Sequence, residues 1–307
     1  MALEGLIDDT YCECTDLYVS RVLLTAPTED LALYESLYLV GVGIATYAPI
    51  QGSLEGSAPP SSTPDGRPGV IIHFSLPRKY GLKRFVKALE ERLNISPHMP
   101  FSSIYNALPR DREVFRASVG DVVRLWGDGF EEGVDVNGRS IYRVPVMTGT
   151  FVIERDFGVG LGVDGALEVM VRDEGVAIKA MKAAGSAVFN RVRYASVFNY
   201  PVGGLCGAKV GGLNYRGVRV TTNHVFCPTL RGRVSDSRVP EGSRAAFEFL
   251  VVGLGVEHVR EALRRAVEAL AGVSGVVKIS APQYSGQWGS LKIGLRELVR
   301  GLEARAK

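Results

Sequence analysis

Apolar and polar positions along the chain fall into two periods, one of about two residues and one near 3.6. Residues 20–26 (SRVLLTA) are a β-branched and apolar run, followed by Pro27, Thr28, Glu29 and Asp30. That succession predicts a strand and then a helix reaching about Val40. Gly41 and Gly43 end the helix, residues 44–50 read as a second strand, and residues 51–65, rich in Ser, Pro and Gly, read as a loop. Residues 70–76 form the next strand. Leu82, Phe85, Val86, Leu89 and Leu93 then recur at helical spacing, with Lys83, Arg84, Lys87, Glu90 and Glu91 opposite.

The second half repeats this order. Residues 166–172 (ALEVMVR) read as a strand, Ala177, Ala180, Met181, Ala184 and Val188 as a helical stripe, and residues 245–252 (AAFEFLVV) as a strand. Val256, Val259, Leu263, Ala266, Val267 and Leu270 line a helix before a closing strand at 276–281. Between the halves, residues 114–165 carry turn signals at Gly127-Asp128-Gly129 and Asn137-Gly138, the second a type I′ hairpin cue, so a β-meander is predicted. The expected fold is α+β: two similar ferredoxin-like (split βαβ) lobes from an internal duplication, joined by the meander and divided near Gly149 into 1–149 and 150–307.

Composition narrows the function. The 307 residues are 46% hydrophobic and 22% charged, as in ordinary globular proteins. A net charge of +3, with no run of five like charges, gives nucleic acid little to grip. Glu4, Asp8 and Asp9, with no Lys or Arg beside them, are the opposite of an export signal, and residues 31–50 contain Glu35, two glycines and Pro49, unlike a membrane span. A cytoplasmic address without membrane attachment follows as the expectation. Cys12, Cys14, Cys206 and Cys227 lack C-x-x-C spacing and are expected as buried reduced thiols, and four scattered histidines give no metal spacing, so no metal is expected.

The glycine runs at 41–43 and 158–162 lack the strand-then-helix context of a dinucleotide site. Residues 200–212 (YPVGGLCGAKVGG) are more informative, because Gly203, Gly204 and their neighbours can turn N–H groups inward as an anion or oxyanion nest, with Lys209 as a point charge. Glu248 is the only charge in its strand and by alternation shares a face with Ala246 and Leu250, opposite Phe247, Phe249 and Val251. A carboxyl group beside apolar neighbours has its pKa raised toward neutrality, which suits proton exchange. Thr222, Asn223 and His224 form a further polar cluster, able to anchor a ligand or supply a base.

Several stretches together resemble one family. Residues 63–70 (TPDGRPGV), 126–132 (WGDGFEE), 137–139 (NGR), 144–146 (VPV), 151–154 (FVIE) with Phe157-Gly158, 201–204 (PVGG), Thr222-Asn223, 227–229 (CPT) and 275–281 (GVVKISA) are similar, in order, to formylmethanofuran:tetrahydromethanopterin formyltransferase. The resemblance implies a cytoplasmic homotetramer with no metal or permanently bound cofactor. It implies a formyl group passing between two substrates, formylmethanofuran and N5 of tetrahydromethanopterin, by direct attack, in the C1 metabolism of methanogenesis or its reverse. It places the catalytic acid on Glu248, which follows the turn Pro240-Glu241-Gly242. Gly203, Gly204, Lys209, Thr222, Asn223 and His224 are the expected substrate-binding or oxyanion groups. His224 and Gln287 depart from the family's pattern, which has an acid after Thr-Asn and a lysine near the C-terminal glycine turn. Two other readings are a non-catalytic ligand-binding or scaffold paralogue and a subunit of a formyltransferase/hydrolase complex.

Overall fold

The computed structural model describes residues 3–41, 50–206, 223–286 and 289–300. In chain order its first elements are α1 (Leu3–Leu6), β1 (Tyr11–Glu13), β2 (Asp16–Thr25), α2 (Glu29–Val40), β3 (Gln51–Ala58), β4 (Gly69–Pro77), α3 (Leu82–Leu93), β5 (Ser103–Asn106), β6 (Glu113–Ala117) and α4 (Gly120–Val123). There follow β7 (Glu132–Val136), β8 (Arg139–Val146), β9 (Gly149–Glu154), β10 (Phe157–Val171), α5 (Glu174–Val188), β11 (Ala195–Val197), β12 (Ala245–Gly253), α6 (Val256–Ala271), β13 (Val276–Ser280), β14 (Lys292–Gly294) and α7 (Leu295–Val299). Two compact units are distinguishable, one of residues 1–16 with 163–307 and one of residues 17–162.

In the unit of residues 17–162 the strand order is β3-β4-β2-β5-β9-β8-β7, antiparallel except for the parallel pair β5–β9. Thr28 caps α2 by accepting a hydrogen bond from the Leu31 N–H, and Glu29 and Asp30 lie in its first turn, favourable at the positive helix end. α3 buries Phe85, Leu89 and Leu93 of the stripe read from the sequence, together with Ala88, while Leu82 and Val86 are half-buried. Asn137 and Gly138 both have positive φ, +52° and +75°, as the β7–β8 hairpin requires. The loop expected at 51–65 is corrected, because its first part is β3. Its sequence QGSLEGSA shows no apolar alternation, since Gln51, Ser53 and Glu55 are buried polar groups. Glu55 takes two hydrogen bonds from Arg21, at 2.6 and 2.8 Å, and one contact of 2.7 Å from His73, which satisfies the carboxylate that periodicity alone would have placed in solvent. The strand expected at 44–50 lies almost wholly outside the described residues.

In the other unit the order is β13-β10-β12-β11, all antiparallel, with β1 and β14 as a separate two-stranded ribbon. Leu167, Val169, Val171, Phe247, Phe249 and Val251 on one sheet face pack against α5 through Ala177, Ala180 and Ala184 and against α6 through Val259, Leu263 and Val267. Gly165 permits the close approach, for a Cβ there would stand 2.6 Å from Val259 and 3.0 Å from Leu263. The opposite face carries the alternate residues of β10 and β12, and the candidate site lies there.

The strand–helix–strand–strand–helix–strand order does recur, but the expectation of two ferredoxin-like lobes joined by a meander is corrected. Hydrogen-bonded neighbours run through one twelve-stranded sheet in which six strands close as an antiparallel barrel and the rest extend it. Closure removes strand edges that separate lobes would leave open. The meander is no linker either, since β7, β8 and β9 are paired strands, and the 15-residue β10 runs straight through the 162/163 boundary. The expectation for the cysteines also needs correction: Cys12 and Cys14 are buried, Cys227 is half-buried and Cys206 is exposed. Among the described residues no helix is long and apolar enough to cross a membrane.

Candidate active site

Glu248 sits at the fourth position of β12, half-buried, directly opposite Glu168 of β10 in the antiparallel register. Residues so paired hold their Cβ atoms about 4.5–5.5 Å apart on one face of the sheet. On its other side the β12 backbone at Glu248 exchanges two hydrogen bonds with Leu205, N–H to O at 2.9 Å and O from N–H at 2.8 Å. The glycine-rich stretch therefore begins as an extension of the sheet beside Glu248.

Glu168 is 3% exposed and accepts a 2.7 Å hydrogen bond on Oε1 from Asn223 Nδ2. Asn223 is held over this face by the turn that follows it. Phe226 and Val239 pack on Met170, with Val225 and Ala246 beside them, one alternation along from the two glutamates. Across β10, Ser280 of β13 is the register partner of Glu168, and its hydroxyl is buried without a hydrogen-bond partner. Further along β10, Asp164 accepts the Thr15 N–H at 2.6 Å.

Three carboxyl groups on a partly dry sheet face cannot all ionise easily. Burial, then the charge of Asp164, pushes Glu248 up to about 7. Burial also raises Asp164 to about 7, against the opposing pull of the Thr15 bonds. Glu168 is pushed well above the ordinary carboxylate range, by burial and then by the charge of Glu248. A carboxyl group that titrates near neutrality can take a proton and return it in one reaction cycle.

The structure brings Glu248 and Asn223 together through Glu168. His224, next to Asn223, makes a 3.0 Å pair with Asp236 and is only half-buried. Gly203 and Gly204 are buried against α5: a Cβ on Gly203 would lie 2.5 Å from the Met181 carbonyl oxygen, and one on Gly204 2.5 Å from Met181 Cγ and 3.1 Å from Phe247. Close packing therefore calls for glycine at both positions. Lys209 and Thr222 lie outside the described residues. Glu168 and Asp164 are absent from the sequence-derived candidates, although Glu168 stands in ALEVMVR as Glu248 stands in AAFEFLVV, a single acid in an apolar strand. Pairing the two strands in register is the step that would have found it. Among the described residues no group of three or more His, Cys, Asp or Glu is placed to hold a metal ion.

Comparison with known proteins bears on this arrangement. The family model described as formylmethanofuran-tetrahydromethanopterin formyltransferase matches residues 1–146, and that of its proximal lobe matches residues 149–298. A formylmethanofuran–tetrahydromethanopterin formyltransferase of Methanocaldococcus jannaschii is 36% identical over 304 residues, 97% of this chain and 99% of the relative. The solved structure of the formylmethanofuran:tetrahydromethanopterin formyltransferase from Methanosarcina barkeri superposes with a TM-score of 0.86 at 29% identity, covering 97% of this chain and 99% of that one. A chain of the formyltransferase/hydrolase complex from Methylorubrum extorquens, solved with methylofuran, gives 0.81 at 26% identity, over 97% and 98%. Two family models spanning nearly the whole chain, and relatives collinear from end to end, leave one assignment: the chain belongs to the formylmethanofuran–tetrahydromethanopterin formyltransferase family.

Proposed function

We propose that Glu248 is the proton-exchanging group of formyl transfer between formylmethanofuran and tetrahydromethanopterin, the reaction of the family. The observation that supports it is a half-buried carboxyl group directly opposite a second, buried glutamate, with burial pushing its pKa up to about 7. The N5 lone pair of the pterin attacks the formamide carbon, forming the new C–N bond while the carbonyl electron pair moves to oxygen. N5 gives its proton to the Glu248 carboxylate. When the tetrahedral species collapses, the old C–N bond breaks with its electron pair on the departing nitrogen, which takes that proton back from Glu248. Protons balance, and no covalent bond to the protein forms. Holding both carriers within reach supplies much of the rate.

The oxyanion needs fixed donors. Asn223 Nδ2 carries two N–H groups, so it can hold Glu168 and donate to the oxyanion at once. Gly203, Gly204, Lys209, Thr222 and His224 complete this reading as groups that bind substrate, and a cytoplasmic homotetramer belongs to it as well. Mixing the purified chain with formylmethanofuran and tetrahydromethanopterin tests it, with formation of the formylated pterin as the expected result. The similarity to the Methylorubrum complex favours a second reading, a subunit that acts in a formyltransferase/hydrolase assembly. Turnover that appears only when partner subunits are added would establish that one, and binding without turnover under either condition would remove both.

A further inference from the structure

Glu168 is used by no step above, yet it is among the most deeply buried charged side chains of its unit, and its position is over-determined. Register places it opposite Glu248 on one side and Ser280 on the other, and Asn223 fixes Oε1 at 2.7 Å. Ser280 Oγ, fully buried and without a partner, shares the face of Glu168 and leaves an unmet hydrogen-bonding group beside the pair. An ordinary buried polar cluster satisfies its members among themselves. Among the described residues the Ser280 hydroxyl has no such partner.

We infer that Glu168 is a positioning residue that keeps its proton across from Glu248, so that a neutral acid and not a second charge faces the carboxyl group that does the exchanging. The inference rests on the reading of Glu248 given above and goes beyond it by naming the neutral group that faces it across the sheet. The Asn223 N–H anchors one oxygen of Glu168, which leaves the other to carry the proton. In a pair of this kind the protons leave in two steps that belong to the pair, and the second is held back by the charge that the first creates. The direction of both shifts agrees with that order.

Among the described residues the other groups facing the pair are few. Asp164 lies on β10 itself. From β13 come Ser280 and Lys278, and Lys278 is tied to Asp8 at 3.3 Å. From the segment above come Asn223 and, next to it, His224 with Asp236. Leu205 on the far side of β12 brings no charge. The close, uncompensated neighbours are therefore carboxyl groups, which favour retention of a proton.

The test is a carboxyl carbon NMR titration of the folded chain without substrates, in wild type, Glu168→Gln and Asn223→Ala, alongside the pH profile of kcat. In the wild type the Glu248 signal should move in two steps, its own near pH 7 and a second at higher pH when Glu168 ionises. Glu168→Gln should collapse these into one step. It should also remove the alkaline fall in kcat while changing KM less than twofold. Asn223→Ala removes a donor that favours the ionised form of Glu168, so the second step should move up by about one pH unit. Should Glu168→Gln fail to fold, the wild-type and Asn223→Ala titrations still decide. A single Glu248 step in wild type, unmoved by either substitution, overturns the pair. The two readings fail separately: if the wild type transfers no formyl group but titrates in two steps, the catalytic reading falls and the pair stands, whereas turnover with a single step does the reverse.

Discussion

At the scale of single residues the proposed chemistry turns on Glu248, and Glu248→Gln is the substitution that tests it. It keeps size and a carbonyl but cannot exchange a proton near neutrality, so kcat should fall about 10²–10⁴-fold with KM little changed. The limb of the wild-type rate profile near pH 7 should vanish with it. The same carboxyl groups set a stability trend of definite sign. Glu248 and Asp164 have folded-state pKa values raised to about 7, so between the ordinary carboxylate range and pH 7 the folded chain holds protons that the unfolded chain has released. Stability therefore falls as pH rises through that window. The melting temperature should be lower at pH 8 than at pH 5.5, and Glu248→Gln should narrow the gap. Glu248 was legible in the sequence because a lone charge in an apolar strand violates the pattern around it. Glu168 was not, since its meaning depends on lying opposite Glu248, and register is a property of two strands. The sequence reads the two glycines as part of an anion nest, and the packing of both against α5 is visible only in the fold.

At the scale of elements, the helices announced themselves and the polar strand did not. α3, α5 and α6 follow apolar stripes to within a few residues, because each must bury one face on a sheet. β3 was read as a loop because its inward positions are polar and find their partners 34 residues earlier at Arg21 and 18 residues later at His73. Arg21 and His73 hold the Glu55 carboxyl down at about 2 against the opposing effect of burial. Its contribution to stability is present above the ordinary carboxylate range and is lost as pH falls toward 2. Glu55→Ala strips the acceptor from a buried guanidinium and should destabilise the chain by about 3–5 kcal/mol, read as a lower denaturant midpoint with the slope unchanged. The repeated order of strands and helices was also legible, whereas closure of the strands into a barrel was not, because nothing local in a strand reports which edge it will find.

At the scale of the whole molecule, strands far apart in sequence meet. Tyr11, Cys12 and Glu13 of β1 pair with Gly294, Ile293 and Lys292 of β14, the Cys12 sulfur accepts the Ala166 N–H at 3.1 Å, and the Thr15 N–H is held by Asp164. This has a consequence for the order of events on the ribosome. Residues 11–13 have their partners at 292–294, so at about 5–20 residues per second β1 waits roughly 15–60 s for its mate. Throughout that interval Cys12 and Cys14 have no finished core to enter. Stalled nascent chains that end before Lys292 should leave both thiols open to a maleimide reagent, and release of the full chain should close them while Cys206 stays reactive. Protection of Cys12 and Cys14 in the stalled chains would mean that the ribbon is dispensable for their burial. Synthesis in that order therefore leaves the ground beneath Glu168 and Glu248 unfinished until β14 arrives, and a premature stop before Lys292 would be felt first around Cys12 and Cys14.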